Sequence, residues 1–262
     1  MSNTLSDSLH ELVRIVAKLR DPNGGCPWDL EQTHDSLTPY VIEEAYEVVD
    51  AVKLDRPKLK DELGDLLLQV VLHAQIASEE KTFSLEDVIQ GISKKLVYRH
   101  PHVFGEKKVA GTKEVLENWE QLKQKELPKD KSILDGVPRS MPALLRAQRL
   151  GDKAARVGFD WKSADDVLPK VAEELKEIAE ASPSDSKAQD EEFGDLLFVL
   201  VQWARKSNKN AEEILSAAND KFTRRFKEME RSIFTHHGEK RLNELSLEQL
   251  EELWVKSKKV VG

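Results

Sequence analysis

The chain has a single cysteine, Cys26, among 262 residues. One cysteine excludes an internal disulfide and suits a reducing compartment. No nucleophile signature surrounds it, so it reads as a partly buried small apolar residue. Glycine and proline are also few, 12 and 10, and cluster at a handful of places. No apolar run reaches the roughly 20 residues of a membrane span. The longest, Leu66 to Ala77 and Leu196 to Ala204, are interrupted by Gln, His or Trp. The opening MSNTLSDSLHELV lacks a basic start and an apolar core, so no secretory leader is expected, and the predicted location is cytoplasmic. No period-2 segment of useful length marks a strand. No glycine-rich phosphate loop is present, which excludes a P-loop NTPase. Basic residues are not in surplus. The 40 Lys and Arg against 48 Asp and Glu give −8, which argues against bulk nucleic-acid binding but not against a local basic pocket.

What is present is a stretch that occurs twice. Residues 42–71 and 172–201 both read EExxE, then fourteen residues, then ExxDLL. The acids are Glu43, Glu44, Glu47, Glu62 and Asp65 in the first copy. In the second they are Glu173, Glu174, Glu177, Glu192 and Asp195. Each copy is followed by a basic pair, Lys95 with Arg99 and Lys221 with Arg225. An aromatic with a lysine one turn on closes each: Trp119 with Lys123, and Trp254 with Lys258.

Apolar periodicity predicts helices over 5–20, from near Pro39 to 53, and over 59–78, 85–99, 114–126, 144–155, 166–181, 189–207, 210–232 and 246–258. Ser84 and Asp87 resemble a capping box, and Pro101 is expected to stop the helix before it. The fold class is therefore all-α, two tandem copies of one helical unit. Predicted domains are 1–126, a proline-rich connector at 127–142, and 143–262.

Residues three or four apart share a helix face, so Glu44 with Glu47 and Glu62 with Asp65 each make a two-carboxylate patch. If the connector folds the helices back on each other, the patches meet and repel unless a cation lies between them. All-oxygen ligation suits Mg²⁺, with Mn²⁺ possible, rather than zinc or di-iron. The one Glu-x-x-His, Glu31 to His34, is unpaired and reads as structural. Asp65 and Asp195 lie in apolar helices, where an acid needs a partner. Gly64 and Gly194 share a mid-helix position where glycine costs about 1 kcal/mol, so close approach by another group is expected. Such a Mg²⁺ completes its shell with waters and substrate phosphates. Lys221 and Arg225 supply charge for a polyphosphate, and Lys258 adds to it. Trp254 suits core packing and a nucleobase contact equally. Together these residues point to hydrolysis of a phosphoanhydride, without specifying the bond.

The paired EExxE and ExxD clusters with KxxxR downstream resemble the MazG family of nucleoside triphosphate pyrophosphohydrolases. GGCPWD at 24–29, YRHPHVFG at 98–105 and VGFDW at 157–161 strengthen the resemblance, which covers nearly the whole chain in its tandem form. It implies a homodimer whose subunits together complete a four-helix bundle. It also implies Mg²⁺-dependent cleavage of NTPs and dNTPs between the α and β phosphates, giving NMP and pyrophosphate and limiting or cleaning nucleotide pools. Carried over by position, the metal ligands are Glu174, Glu177, Glu192 and Asp195, with Glu192 and Asp195 catalytic. Substrate contacts fall on Lys170, Glu173, Glu191, Lys221, Arg225, Trp254 and Lys258. The first unit offers Glu44, Glu47, Glu62 and Asp65 with Lys95, Arg99, Trp119 and Lys123. Tyr40 stands where the second unit has Lys170, and Pro101 follows Arg99 closely, so the second unit is expected to be the working one. The alternatives are a Mg-nucleotide-binding regulatory protein without turnover and a narrower pyrophosphatase for dCTP, dUTP or phosphoribosyl-ATP.

Overall fold

The computed structural model describes residues 4–126, 128, 130–181, 185–236 and 242–262. Among these residues there are helices, short 3-10 turns and connections, and no strand. The chain divides into two compact units, Met1–Glu126 and Leu127–Gly262. Residues 127–142, expected as a separate connector, fall with the second unit; Leu127 and Lys129 lie outside the described residues.

The first unit contains α1 (Leu5–Leu19), α2 (Pro27–Glu31), α3 (His34–Leu54), α4 (Leu59–Glu79), α5 (Leu85–Arg99), α6 (Pro101–Phe104) and α7 (Thr112–Lys125). Its centre is the hairpin of α3 and α4; α1 and α5 also pack on α4, and α7 packs on α5. Val16 of α1, Leu37 of α3 and Val71, Leu72 and Ile76 of α4 form the core. Each such side chain contributes roughly 1.5–3 kcal/mol by leaving water.

The second unit repeats the plan with α8 (Ala143–Ala155), α9 (Leu168–Glu180), α10 (Ser186–Lys206), α11 (Ala211–His236) and α12 (Leu247–Val261). Here α9 pairs with α10, α8 packs on α10 and α11, and α12 packs on α11. Met229 and Ile233 of α11 close on Leu253 of α12, with Trp254 against them.

Local chemistry sets the helix ends. Capping boxes at Thr4–Asp7, Thr33–Ser36, Ser84–Asp87 and Ser246–Gln249 satisfy amides that would otherwise lack partners. The Thr33 box starts α3 at His34, five residues before Pro39, so Pro39 lies inside the helix. That is a correction to the predicted start: the helix begins at the Thr33 cap and runs on through a proline that removes one backbone donor. The short α2, begun by Pro27, is too brief for periodicity to reveal. At the turn before it Gly24 has φ +118°. A Cβ on Gly25 would lie 2.4 Å from the Leu19 carbonyl oxygen, so only glycine fits there.

Each unit also has a charged joint at the far end of its hairpin. The buried Arg20 donates to the Glu79 carboxylate at 2.8 Å and to the Asp29 and Gln32 carbonyls. In the second unit the polarity reverses: Asp160 accepts from Arg205 and, at 3.1 Å, from Lys206. This places the GGCPWD and VGFDW stretches as structural joints remote in sequence from the acids. Along α4 and α10, Leu63, Leu67, Val70, Phe193, Leu197 and Leu200 stay substantially exposed. No described helix is long and apolar enough to cross a membrane.

Candidate functional site

The second-unit cluster is built by one hairpin. Glu174 and Glu177 lie one turn apart on α9, and Glu192 and Asp195 occupy one face of α10. A carboxylate oxygen from each of Glu174, Glu177 and Glu192 lies within 4.8 Å of the others. Glu174 is only 2% exposed. Lys170, one turn before it, sits 2.8 Å from its Oε1 and also donates to Glu173 at 2.8 Å. These two bonds hold the Lys170 ammonium well above its ordinary pKa. Burial, then the charges of Glu177, Glu174 and Asp195, push the Glu192 carboxyl above its usual range.

The first unit repeats the arrangement. Glu44 and Glu47 of α3 and Glu62 of α4 bring their oxygens within 4.8 Å of one another. Burial and then the charges of Asp65, Glu47, Glu43 and Glu62 raise Glu44. Glu62 is raised too, by desolvation and then by Glu47 and Asp65.

The donor set can be tested against a hard divalent cation. Oε2 of Glu174 and Oε2 of Glu44 are both buried and have no hydrogen-bond partner. A buried carboxylate oxygen without a partner is costly, and three converging carboxylates repel. A cation accepting oxygen ligands removes both costs at once, so the residues fit Mg²⁺ or Mn²⁺.

Asp65 and Asp195 are exposed, as are large parts of the helices that carry them. The expectation that they need partners because they lie in buried apolar helices is corrected. The apolar residues around them line a face that the described residues of the same unit leave exposed. Both aspartates remain close enough for their charges to act on Glu62 and Glu192. Gly64 and Gly194 likewise have nothing within 4 Å of a built Cβ among the described residues of their own units, so the expected close approach is not seen there.

The basic residues gather around their tryptophans. Arg225 lies over the Trp254 ring at 5.9 Å and Lys258 at 5.8 Å. Trp254 itself is half-buried against the α11–α12 core, so it packs and presents a cationic face together. Arg225 donates to the Gly262 carbonyl at 2.8 Å, while its Nε is buried and unbonded. Lys221 is exposed one turn earlier on the same helix. Glu191 pairs with Lys187 at 3.6 Å on an exposed face. In the first unit Arg99 lies over Trp119 at 5.7 Å, and Lys95 is exposed. Lys123 is half-buried on α7. Arg99 is bound by Glu126, which sequence reasoning passed over as a helix end.

Two further features lie outside the clusters. His34 meets His73 with facing Nδ1 atoms 2.7 Å apart. Cys26 is free and half-buried at the start of α2.

Comparison with known proteins joins this geometry to a family. The model of the MazG nucleotide pyrophosphohydrolase domain matches twice, at residues 32–104 and 162–229. Each match spans one acid cluster and its KxxxR pair. The nucleoside triphosphate pyrophosphohydrolase of Escherichia coli K12 is 44% identical over 259 residues, covering 97% of this chain and 98% of that protein. The nucleoside triphosphate pyrophosphohydrolase/pyrophosphatase MazG of Thermotoga maritima is 47% identical over 250 residues, covering 95% and 94%. An uncharacterized Bacillus subtilis protein, YabN, is 47% identical over 249 residues, 93% of this chain and 50% of its own length. With the domain present twice on matching hairpins and relatives aligned almost end to end, the chain belongs to the MazG family.

Proposed function

We propose that this protein hydrolyses nucleoside triphosphates, ribo and deoxy alike, between the α and β phosphates, releasing a monophosphate and pyrophosphate. The carrying observation is the second-unit trio, whose oxygens lie within 4.8 Å of one another while Oε2 of Glu174 is left without a partner. The names of the Escherichia coli and Thermotoga maritima relatives support the same reaction.

Glu174, Glu177 and Glu192 would hold Mg²⁺, with Asp195 completing the set from the exposed end of the same α10 face. A divalent cation there supplies charge neutralisation of the phosphates and activation of water as nucleophile. Glu192 and Asp195 would also be placed to orient an attacking water by accepting its hydrogens. Lys221, Arg225 and Lys258 bind the triphosphate, and Trp254 presents a ring face to the base. Lys170 neutralises part of the acid cluster before substrate arrives. The second unit is the working one in this reading, and the first is a structural copy.

The uncovered apolar face on α4 and α10 supports a homodimer in which a second copy completes each bundle. The single cysteine supports a cytoplasmic, reducing location. Calorimetric titration with Mg²⁺ tests the metal assignment. Wild type is expected to bind, and Glu174→Gln to bind at least about tenfold more weakly. Equal binding by both would remove the second-unit trio from the site.

A further inference from the structure

The two units share their acids, their KxxxR pairs and their Trp-x-x-x-Lys ends, yet they treat the arginine differently. In the first unit Glu126 grips Arg99 with both oxygens. Arg99 Nε donates to Oε1 at 3.1 Å, and Nη2 donates to Oε2. The Arg99 side chain is 15% exposed and that of Glu126 32%. The arginine plane lies over Trp119, whose ring is also met edge-on by His100 at 4.6 Å. Glu126 therefore presents two oxygens to a guanidinium fork backed by an aromatic ring, the geometry a phosphate would use.

Lys95 and Lys123 act on the same carboxylate, and together with Arg99 they hold it below the usual range. Glu120 adds negative charge near Arg99. Arg99 is thus bound to an internal anion, and Lys95 and Lys123 lie near enough for their charges to act on it.

The second unit lacks this acid. Seven residues beyond Trp119 stands Glu126; seven beyond Trp254 stands Val261. Correspondingly, Arg225 meets a backbone oxygen, that of Gly262, through Nη2 at 2.8 Å, and its Nε is buried without a partner, whereas the matching nitrogen of Arg99 is satisfied by Glu126. That Nε is the donor the second unit still offers to an anion.

We propose that Glu126 is an internal stand-in for a phosphate group, holding the anion-binding face of the first unit closed to nucleotide. The inference rests on the reading of the matching Lys221, Arg225 and Trp254 face as the triphosphate site. It gives the silence of the first unit a specific cause: its acid trio is intact, but its phosphate clamp is already filled. Removing the carboxylate frees the Arg99 guanidinium over Trp119 for a nucleoside triphosphate, with Lys95 and Lys123 nearby adding positive charge.

The test is calorimetric titration of the full chain with Mg²⁺ and α,β-methylene-ATP, which resists cleavage at the proposed bond. Wild type is expected to show one site per chain. Glu126→Val is expected to show two, the new one within about tenfold of the first in affinity. Adding Arg99→Ala to Glu126→Val is expected to return the count to one. Glu126→Gln keeps the side chain's length without its charge and is expected to reveal the second site more weakly, which decides the matter if the valine chain does not fold. One site in wild type and still one in both Glu126 variants would overturn this inference alone. No site in any chain would overturn the reading of the second-unit face, and this inference with it.

Discussion

The ammonium of Lys170 sits 2.8 Å from Glu174, the most buried carboxylate of the second-unit cluster, whose other oxygen has no partner. One side chain thus compensates half of a buried anion, and the other half is left for a ligand. In the first unit Tyr40 stands where Lys170 would be, and burial and then the charges of Asp65, Glu47, Glu43 and Glu62 raise Glu44.

Replacing Lys170 by methionine keeps the chain's length but removes the cation. The metal-free protein is expected to melt at a lower temperature than wild type, because a buried carboxylate loses its partner. Mg²⁺ should then raise the melting temperature of Lys170→Met more than that of wild type. Thermal unfolding with EDTA and with Mg²⁺ measures both. An equal Mg²⁺ shift in the two proteins would show that Lys170 and the metal do not share Glu174.

Turnover is expected to depend on the second trio and not on the first. Even partners of metal ligands cost about 10–100-fold when removed. Glu192→Gln should therefore lower kcat/KM for ATP by at least about a hundredfold. Glu62→Gln, its first-unit counterpart, should leave the rate within about threefold, far less than loss of a ligand costs. Steady-state rates with helical content checked by circular dichroism decide it. The reverse pattern would move the working site to the first unit.

The raised carboxyls set a pH dependence with a definite sign. Glu44, Glu62 and Glu192 hold a proton more tightly folded than unfolded. Their charge therefore opposes folding above the raised folded values, and this cost disappears below the ordinary carboxylate value of about 4.3. Without metal, Glu192→Gln should be more stable than wild type at neutral pH, and the difference should close as the solution is acidified through that window. Mg²⁺ affinity should fall over the same window, since proton and cation compete. Urea midpoints in EDTA across pH test the first point. A gap independent of pH would contradict it.

Three glycines should respond to alanine in two opposite ways. A Cβ on Gly151 of α8 would lie 1.9 Å from Gln202 Oε1 and 2.7 Å from Arg205 Nε. Both belong to the network that ties α8 and Asp160 to α10. Gly151→Ala gains about 1 kcal/mol in helix propensity but overpacks a filled joint, typically a 1–3 kcal/mol cost, so a net loss is expected. Gly64→Ala and Gly194→Ala meet nothing within 4 Å and should each gain about 1 kcal/mol. Urea unfolding of the three variants gives the signs directly, and destabilisation by either open-site change would contradict the assignment.

Much of the fold was legible because helix spacing and caps are local. Ser84 and Asp87 declare their helix start, and the i,i+3 acids name the face they share. The pairing of α9 with α10 follows once a short connector joins two amphipathic helices whose carboxylates can share a cation. Depth was not legible. Asp195 in FGDLLFVLV reads as buried, yet exposure depends on what covers that face, and no local pattern encodes it. Arg20 with Glu79, and Arg99 with Glu126, are pairings between distant positions, which spacing along one helix does not reveal. The start of α3 was misplaced because Pro39 draws attention while the Thr33 cap decides.

The most direct test of the account is the identity of the products. Incubating the protein with ATP and with dGTP in Mg²⁺, and again in EDTA, and then separating the nucleotides reports the bond broken. The account predicts AMP and dGMP with pyrophosphate, formed only with Mg²⁺. ADP and dGDP with orthophosphate, or no product under either condition, would contradict it.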